Sequence, residues 1–350
     1  MNSNYQKLLV EFLGKSNNFE KDINLEIDTK HNKIVNDANN LIQNKKSHFI
    51  KNFRDWSGQS DLDCPNQLTF LHLRKFGFFF LFFFLKKIFF FWKFKHFTRS
   101  FNDDLKIIES IDAAKLIKDN PVHLTPGVTN FYKIFGGTTN YRWNRYVYLS
   151  NRIIHHKLLN EGDTWVDIGS YYGGLQSFIK KKFPSNNFIL VDFHHQLLRS
   201  FIFLKSIFPD SKHILPDDIK DKIDLTNAKN TFFYLPANQF SKIDNLKVKL
   251  VTNFFSFGEM KKNNFEQYIN SQLLQNSKYL YFVNRFVSSP FFERTYDDNI
   301  NILDYFKKLK KHILYLDVFP MHHYQIINRK ILGRCAYRPV SSPYFELILN

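Results

Sequence analysis

The chain has 350 residues, with Lys+Arg 49 against Asp+Glu 32 for a formal net charge of +17, and 41 phenylalanines. That length buries one large core, or a core with a smaller unit attached. The 2 cysteines, Cys64 and Cys335, lie too far apart to suggest a disulfide framework or a cysteine-built zinc site. The charge suits phosphate backbones, anionic lipid or sugar phosphates equally, and an AT-rich genome, with its heavy Lys, Asn, Ile and Phe usage, would produce part of it.

The opening M-N-S-N-Y-Q-K is polar and lacks the apolar run and cleavage site of a secretory signal, so a reducing cytoplasm is expected. Residues 1 to about 70 are rich in Asn and Lys, with Leu8, Leu9, Phe12 and Leu13 at helical spacing. Next comes R-K-F-G-F-F-F-L-F-F-F-L-K-K-I-F-F-F-W-K-F-K-H-F, residues 74–97. Its unbroken apolar run is shorter than the about 20 residues that a spanning helix needs, and Lys86 and Lys87 interrupt it. Two readings remain open. The segment could lie in the headgroup plane, with Arg74, Lys75, Lys86, Lys87, Lys93 and Lys95 on anionic lipid, or it could pack on the globular part. We expect residues 1–104 to form a helical, basic, Phe-rich accessory region and residues 105–350 to form one Rossmann-like domain.

In that domain, strand patterns at 164–168, 187–192, 231–235, 248–254, 278–284, 313–318 and 344–349 alternate with helical patterns at 175–183, 195–207 and 264–276. This order predicts an α/β fold with a doubly wound, mainly parallel, seven-stranded sheet. Ligands of such a sheet bind where a strand ends in a tight turn leading into a helix. W-V-D-I-G-S-Y-Y-G-G-L-Q has that form: an apolar strand, the acid Asp167, then glycines. A dinucleotide fingerprint would place glycine at 169, 171 and 174, but Tyr171 fills the middle position. The first motif of the S-adenosylmethionine-dependent methyltransferases fits better, with Asp167, Gly169 and Gly173 matching and Tyr171 again departing. The strand F-I-L-V-D supplies Asp192, an acid at the place where two ribose hydroxyls would be held.

Taken with L-V-D-F, V-T-N-F-F-S-F-G-E-M and Y-F-V-N-R, this motif makes residues 120 to 345 resemble the bacterial sugar O-methyltransferase family; N-F-F-S-F-G-E-M, residues 253–260, is the most specific string. The resemblance implies a class I methyltransferase-like fold and a cytoplasmic enzyme that methylates a sugar hydroxyl of a surface glycan or its precursor. Asp167, Gly169, Ser170 and Gly173 would then surround the methionine part of S-adenosylmethionine, and Asp192 its ribose. Phe193 could flank the adenine or simply pack, and Asn238, after the third strand, could approach its edge. Asn253, Ser256 and Glu259 follow the fourth strand, where cofactor and acceptor meet.

A sugar hydroxyl is a weak acid, so a base must take its proton as the new bond forms. Glu259 is the first candidate, a helix-start carboxylate being its bland alternative; a histidine, His195 or one of His194, His322 and His323, is the second. Asn284 and Arg285, after the fifth strand, could contact the sugar, as could Tyr141, Arg142, Trp143 and Arg145 upstream. A divalent cation held by Asp297 and Asp298 is possible in chemical terms, but no spacing indicates it. Two other readings stand beside the sugar enzyme: an RNA methyltransferase, favoured by charge but lacking a clustered basic stripe, and an inactive methyltransferase-like protein at the membrane surface. We expect no nucleic-acid partner, a glycan acceptor, and peripheral contact with the inner membrane face through residues 74–97.

Overall fold

A computed structural model describes residues 3–16, 29–51, 91–123, 132–288, 299–331, 334–340 and 344–350. Helices α1 (Ser3–Leu13), α2 (Thr29–Asn44), α3 (Lys46–Lys51), α4 (Phe91–Ser110) and α5 (Ala114–Asp119) come first. The hairpin of β1 (Tyr132–Ile134) and β2 (Gly137–Thr139) and helix α6 (Tyr141–His155) precede β3 (Thr164–Ile168) and α7 (Gly174–Lys182). There follow β4 (Asn187–Asp192), α8 (His194–Ile207), β5 (Lys212–Ile214), β6 (Thr231–Pro236), β7 (Leu250–Phe254), α9 (Lys262–Ile269) and α10 (Gln272–Asn276). The last elements are β8 (Tyr279–Arg285), α11 (Ile302–Lys308), β9 (Ile313–Val318), β10 (His323–Ile331), β11 (Arg334–Val340) and β12 (Tyr344–Leu349).

The chain divides into two units. The first comprises Met1–Lys51, Ile153–Phe319 and Pro343–Asn350; the second comprises Asn52–Arg152 and Pro320–Ser342. The division therefore does not fall between residues 104 and 105. Helix α1 shows why the N-terminus goes with the sheet: it buries Leu8, Leu9 and Phe12, and the Phe12 ring lies 5.7 Å from that of Phe201 on α8. An exposed ion pair of 3.1 Å between Lys15 and Asp218 adds little. Burying those three apolar side chains contributes about 1.5–3 kcal/mol each.

An eight-stranded sheet, ordered β5-β6-β4-β3-β7-β8-β12-β9, fills the first unit. Every strand is parallel except β12, which runs antiparallel between β8 and β9. The expected α/β architecture is thus present, with one strand more than anticipated, the three-residue β5. Central strands such as F-I-L-V and F-F-Y-L are continuously apolar because both of their faces are buried. On one face Val166, Ile189, Val251, Leu280, Phe282 and Leu347 pack into a single cluster with Phe257, Phe265 and Tyr305. From β3 the chain moves outward to β4 and β6, then returns to place β7 on the other side of β3. The strand order reverses at that point, which opens a crevice beyond the carboxyl ends of β3, β4 and β7.

In the second unit, β1 and β2 form a hairpin, as do β10 and β11. The block before the glycine motif folds as a hairpin running into a capped helix: the Asn140 side chain accepts the Trp143 amide at 2.8 Å, and the Trp143 indole donates to the Asn120 carbonyl at 2.7 Å. Of the Phe-rich segment 74–97, residues 74–90 lie outside the described residues, and 91–97 open α4. Among the described residues no helix is long and apolar enough to cross a membrane.

Candidate functional site

The turn after β3 is built on three left-handed residues, Gly169 (φ 81), Tyr171 (φ 54) and Gly173 (φ 86). A side chain at either glycine would collide: a Cβ on Gly169 would stand 2.3 Å from Ser256 Oγ, and one on Gly173 would stand 2.8 Å from Leu204 Cγ. The first glycine therefore lets the turns after β3 and β7 touch, and the second lets α7 approach α8. Gly169 N–H donates to the Val191 carbonyl at 2.8 Å, which ties the turn to the end of β4.

Tyr171 takes a backbone conformation that usually falls to glycine, and the neighbourhood determines where its ring goes. The Arg199 guanidinium lies 4.6 Å from the ring centroid and donates to the hydroxyl at 3.3 Å, while Ser200 donates to the Tyr171 carbonyl. The tyrosine is thereby held against α8 with the bend of the turn preserved. Its amide donates to Asp192 Oδ2 at 2.8 Å, and the Phe193 amide donates to Asp192 Oδ1 at 2.8 Å. Two backbone amides thus orient the half-buried Asp192 carboxylate at the end of β4, beside the turn.

Asp167 lies beneath the turn. Register pairs it with Thr252 on β7, whose hydroxyl donates to one carboxylate oxygen, while Gln176 on α7 donates to the other. Trp165 donates to the same Thr252 hydroxyl at 2.8 Å. Burial, with a smaller contribution from the charge of Asp192, pushes the Asp167 carboxyl up to about 7 against the hydrogen bonds that lower it. Asp167 is a support that ties β3, β7 and α7 together.

The turn after β7 relies on side chains. Asn253 Nδ2 donates to the Ile168 carbonyl at 2.7 Å and to Ser256 Oγ, and Asn253 Oδ1 accepts the Phe257 amide at 2.9 Å and Asn284 Nδ2 at 3.0 Å. Phe255 is left-handed (φ 68), its amide donating to the Val283 carbonyl at 2.7 Å. Glu259 is half-buried in the single helical turn Phe257–Glu259 and does not cap α9, whose N-cap is Lys261. At the end of β8, Arg285 donates through Nε to the Tyr344 hydroxyl at 3.2 Å.

Most of the sequence-predicted residues therefore meet on adjoining strand ends of the first unit: Asp167, Gly169, Ser170 and Gly173 after β3, Asp192 and Phe193 after β4, Asn253, Ser256 and Glu259 after β7, and Asn284 and Arg285 on β8. Asn238 follows β6 in the segment Ala237–Ile243. Phe193 is the N-cap of α8. His195, the second-choice base, is 1% exposed with its ring stacked on Phe193 at 5.8 Å. Arg142 stands on α6 in the second unit. In that unit too, His322 Nδ1 lies 2.8 Å from Oδ1 of the fully buried Asp104; burial raises the Asp104 carboxyl, and the bond to Asp104 raises His322. Asp297 and Asp298 lie outside the described residues, among which no group of three or more His, Cys, Asp or Glu side chains could hold a metal ion. Thr252, Gln176, Arg199, Phe255 and Tyr344 were missed by sequence reasoning, because their roles arise from register and helix packing.

Two buried polar atoms beside the crevice have no hydrogen-bond partner within the chain: Ser170 Oγ, on a residue 5% exposed, and Asn238 Oδ1. Buried polar groups of this kind normally find a partner, so a polar ligand at these strand ends fits the residues present.

No family model matches the chain, and no curated protein matches it. Among solved structures it is similar to a SAM dependent methyltransferase from Aquifex aeolicus, at 10% identity and TM-score 0.34, covering 57% of this chain and 88% of that one. It is also similar to precorrin-6y C5,15-methyltransferase from Geobacter metallireducens, at 8% identity and TM-score 0.33, covering 60% and 88%. A third likeness, to TehB from Haemophilus influenzae, has 11% identity and TM-score 0.34 over 57% of this chain, which spans 60% of that protein's length. Likenesses at this level assign no function.

Proposed function

We propose that the chain is an S-adenosylmethionine-dependent O-methyltransferase acting on a sugar hydroxyl of a surface glycan or its precursor. The observation that carries this reading is Asp192, held by the Tyr171 and Phe193 amides at the end of β4 beside a left-handed glycine turn at the point where strand order reverses. In this reading Asp192 accepts hydrogen bonds from the ribose hydroxyls, Phe193 borders the adenine, and the unbonded Ser170 Oγ and Asn238 Oδ1 take polar groups of the cofactor. Bound S-adenosylmethionine supplies an already activated methyl group. The protein's part is to orient the acceptor oxygen and remove its proton. Asn253 and Ser256 shape the floor of that position, and Glu259, in the same turn, receives the proton. The sugar acceptor is supported by the string N-F-F-S-F-G-E-M. A cytoplasmic site of action at the inner membrane face, with residues 74–97 on anionic lipid, belongs to the same proposal.

The formal charge of +17 favours an RNA acceptor as the second reading; RNA binding that weakens steeply with salt would support it. The proposal is tested by calorimetric titration with S-adenosylhomocysteine, followed by radiolabelled methyl transfer to glycan precursors. Saturable binding, lost in a folded Asp192→Ala variant, is expected. Equal binding by that variant, or none by the wild type, contradicts the reading.

A further inference from the structure

Arg285 is the last residue of β8 and the cross-strand partner of Tyr344 on β12. That register lays its guanidinium over the fully buried Tyr344 ring, 5.5 Å from the centroid, and ties Nε to the hydroxyl. Its stem runs beside Gly258, whose Cβ would stand 3.6 Å from Arg285 Cβ, so the base of the side chain lies against the same turn that carries Glu259. Phe255 packs edge-on against Tyr344 at 5.1 Å and against Phe319 at 5.4 Å, with its backbone in the left-handed region. A strained residue that close packing holds in place is a feature of ligand sites. Among the described residues no carboxylate lies within ion-pair distance of Arg285, and its two terminal nitrogens make no hydrogen bond. A half-buried guanidinium, oriented through Nε and presenting two parallel N–H donors, matches the two oxygens of a phosphate or carboxylate.

We propose that Arg285, oriented by Tyr344 and walled by Phe255, binds an oxyanion of the acceptor, so that the substrate is an acidic or phosphorylated sugar. This rests on the methyltransferase reading of the same crevice. Phosphoryl and carboxylate groups share the chemistry, and separate probes distinguish them: pyrophosphate stands for a nucleotide- or lipid-linked sugar, glucuronate for an acidic one.

The test is calorimetric titration of the full chain with each probe, before and after saturation with S-adenosylhomocysteine, in wild type, Arg285→Gln and Arg285→Lys. Saturable binding of one probe is expected, weakened about tenfold or more in Arg285→Gln and less in Arg285→Lys, because lysine keeps the charge and loses the fork. Affinity for S-adenosylhomocysteine should be the same in all three. If neither probe binds, or if Arg285→Gln binds as well as wild type, the inference is overturned, whatever the cofactor result. Loss of S-adenosylhomocysteine binding in the wild type would instead remove the methyltransferase reading.

Discussion

The turns after β3 and β7 leave neighbouring parallel strands and touch where Gly169 meets Ser256, yet they are built in opposite ways. The first is shaped by backbone: three positive φ angles, glycines with no room for a side chain, and the Tyr171 amide directed at Asp192. The second is shaped by side chains, with Asn253 tying the end of β3, its own turn and Asn284 together. The backbone-built turn directs its Gly169, Ser170 and Tyr171 amides at the end of β4, which leaves the Asp192 carboxylate and the Ser170 hydroxyl to meet a ligand. A side-chain-built turn can vary its polar groups, as an acceptor pocket needs.

The sharpest way to break this division is Gly169→Ala. A left-handed alanine costs about 1–2 kcal/mol, and the collision with Ser256 brings the expected loss to about 3 kcal/mol. Chemical denaturation should show that loss, and calorimetry should show S-adenosylhomocysteine binding lost with it. Asn253→Ala should come next. It strands the buried Phe257 amide and removes the side-chain bonds to the Ile168 carbonyl and Asn284, and a loss of about 2 kcal/mol is expected. Because the backbone of the first turn stays intact, methyl transfer should fall more than cofactor affinity does.

Tyr171→Gly should matter less. It relieves the left-handed tyrosine and gives up the stacking on Arg199, two opposing terms of about 1–2 kcal/mol each, so stability should change by less than about 1 kcal/mol with cofactor binding retained. A large fall in affinity would show that the ring itself is part of the site.

The last prediction is a pH slope. Asp167 is raised from 3.8 to about 7 by burial, so its contribution to stability is fully present below pH 3.8 and is lost as pH rises through about 7. Asp167→Asn removes that slope, so the variant should gain melting temperature relative to wild type between pH 4 and pH 8. His213, pushed down to about 4 by burial, contributes the opposite slope, stability being lost as pH falls from 6.5 through about 4. That slope is common to both proteins and cancels in the difference.

The central strands were legible in the sequence because burial on both faces of a parallel sheet demands unbroken apolar runs; β3 and β4 begin and end where the pattern placed them, as do the buried antiparallel β12 and the edge strand β9, whose apolar side chains are largely exposed. Strand β5 was not, since three residues carry no period; it is fixed by Lys212 N–H donating to the Asn230 carbonyl at 3.0 Å. The helix expected at 264–276 is two, because Ser271 starts a new one by accepting the Leu274 amide. The N-terminal helix was visible as an amphipathic pattern, but its attachment to α8 depends on a tertiary contact between Phe12 and Phe201. In the site, Gly169, Gly173 and Asp192 were readable from spacing. The Asp167–Thr252 bond depends on the β3–β7 register, and the position of the Tyr171 ring depends on Arg199, in the second turn of α8.

The central claim is that the turn after β3 and the end of β4 cradle the cofactor. Amide chemical shifts of isotope-labelled protein titrated with S-adenosylhomocysteine test it most directly. The account predicts the largest changes at Gly169, Ser170, Tyr171, Phe193 and Asn238, with smaller ones at Asn253 and Ser256. Saturable shifts confined to other residues, or no shifts in the folded protein, would contradict it.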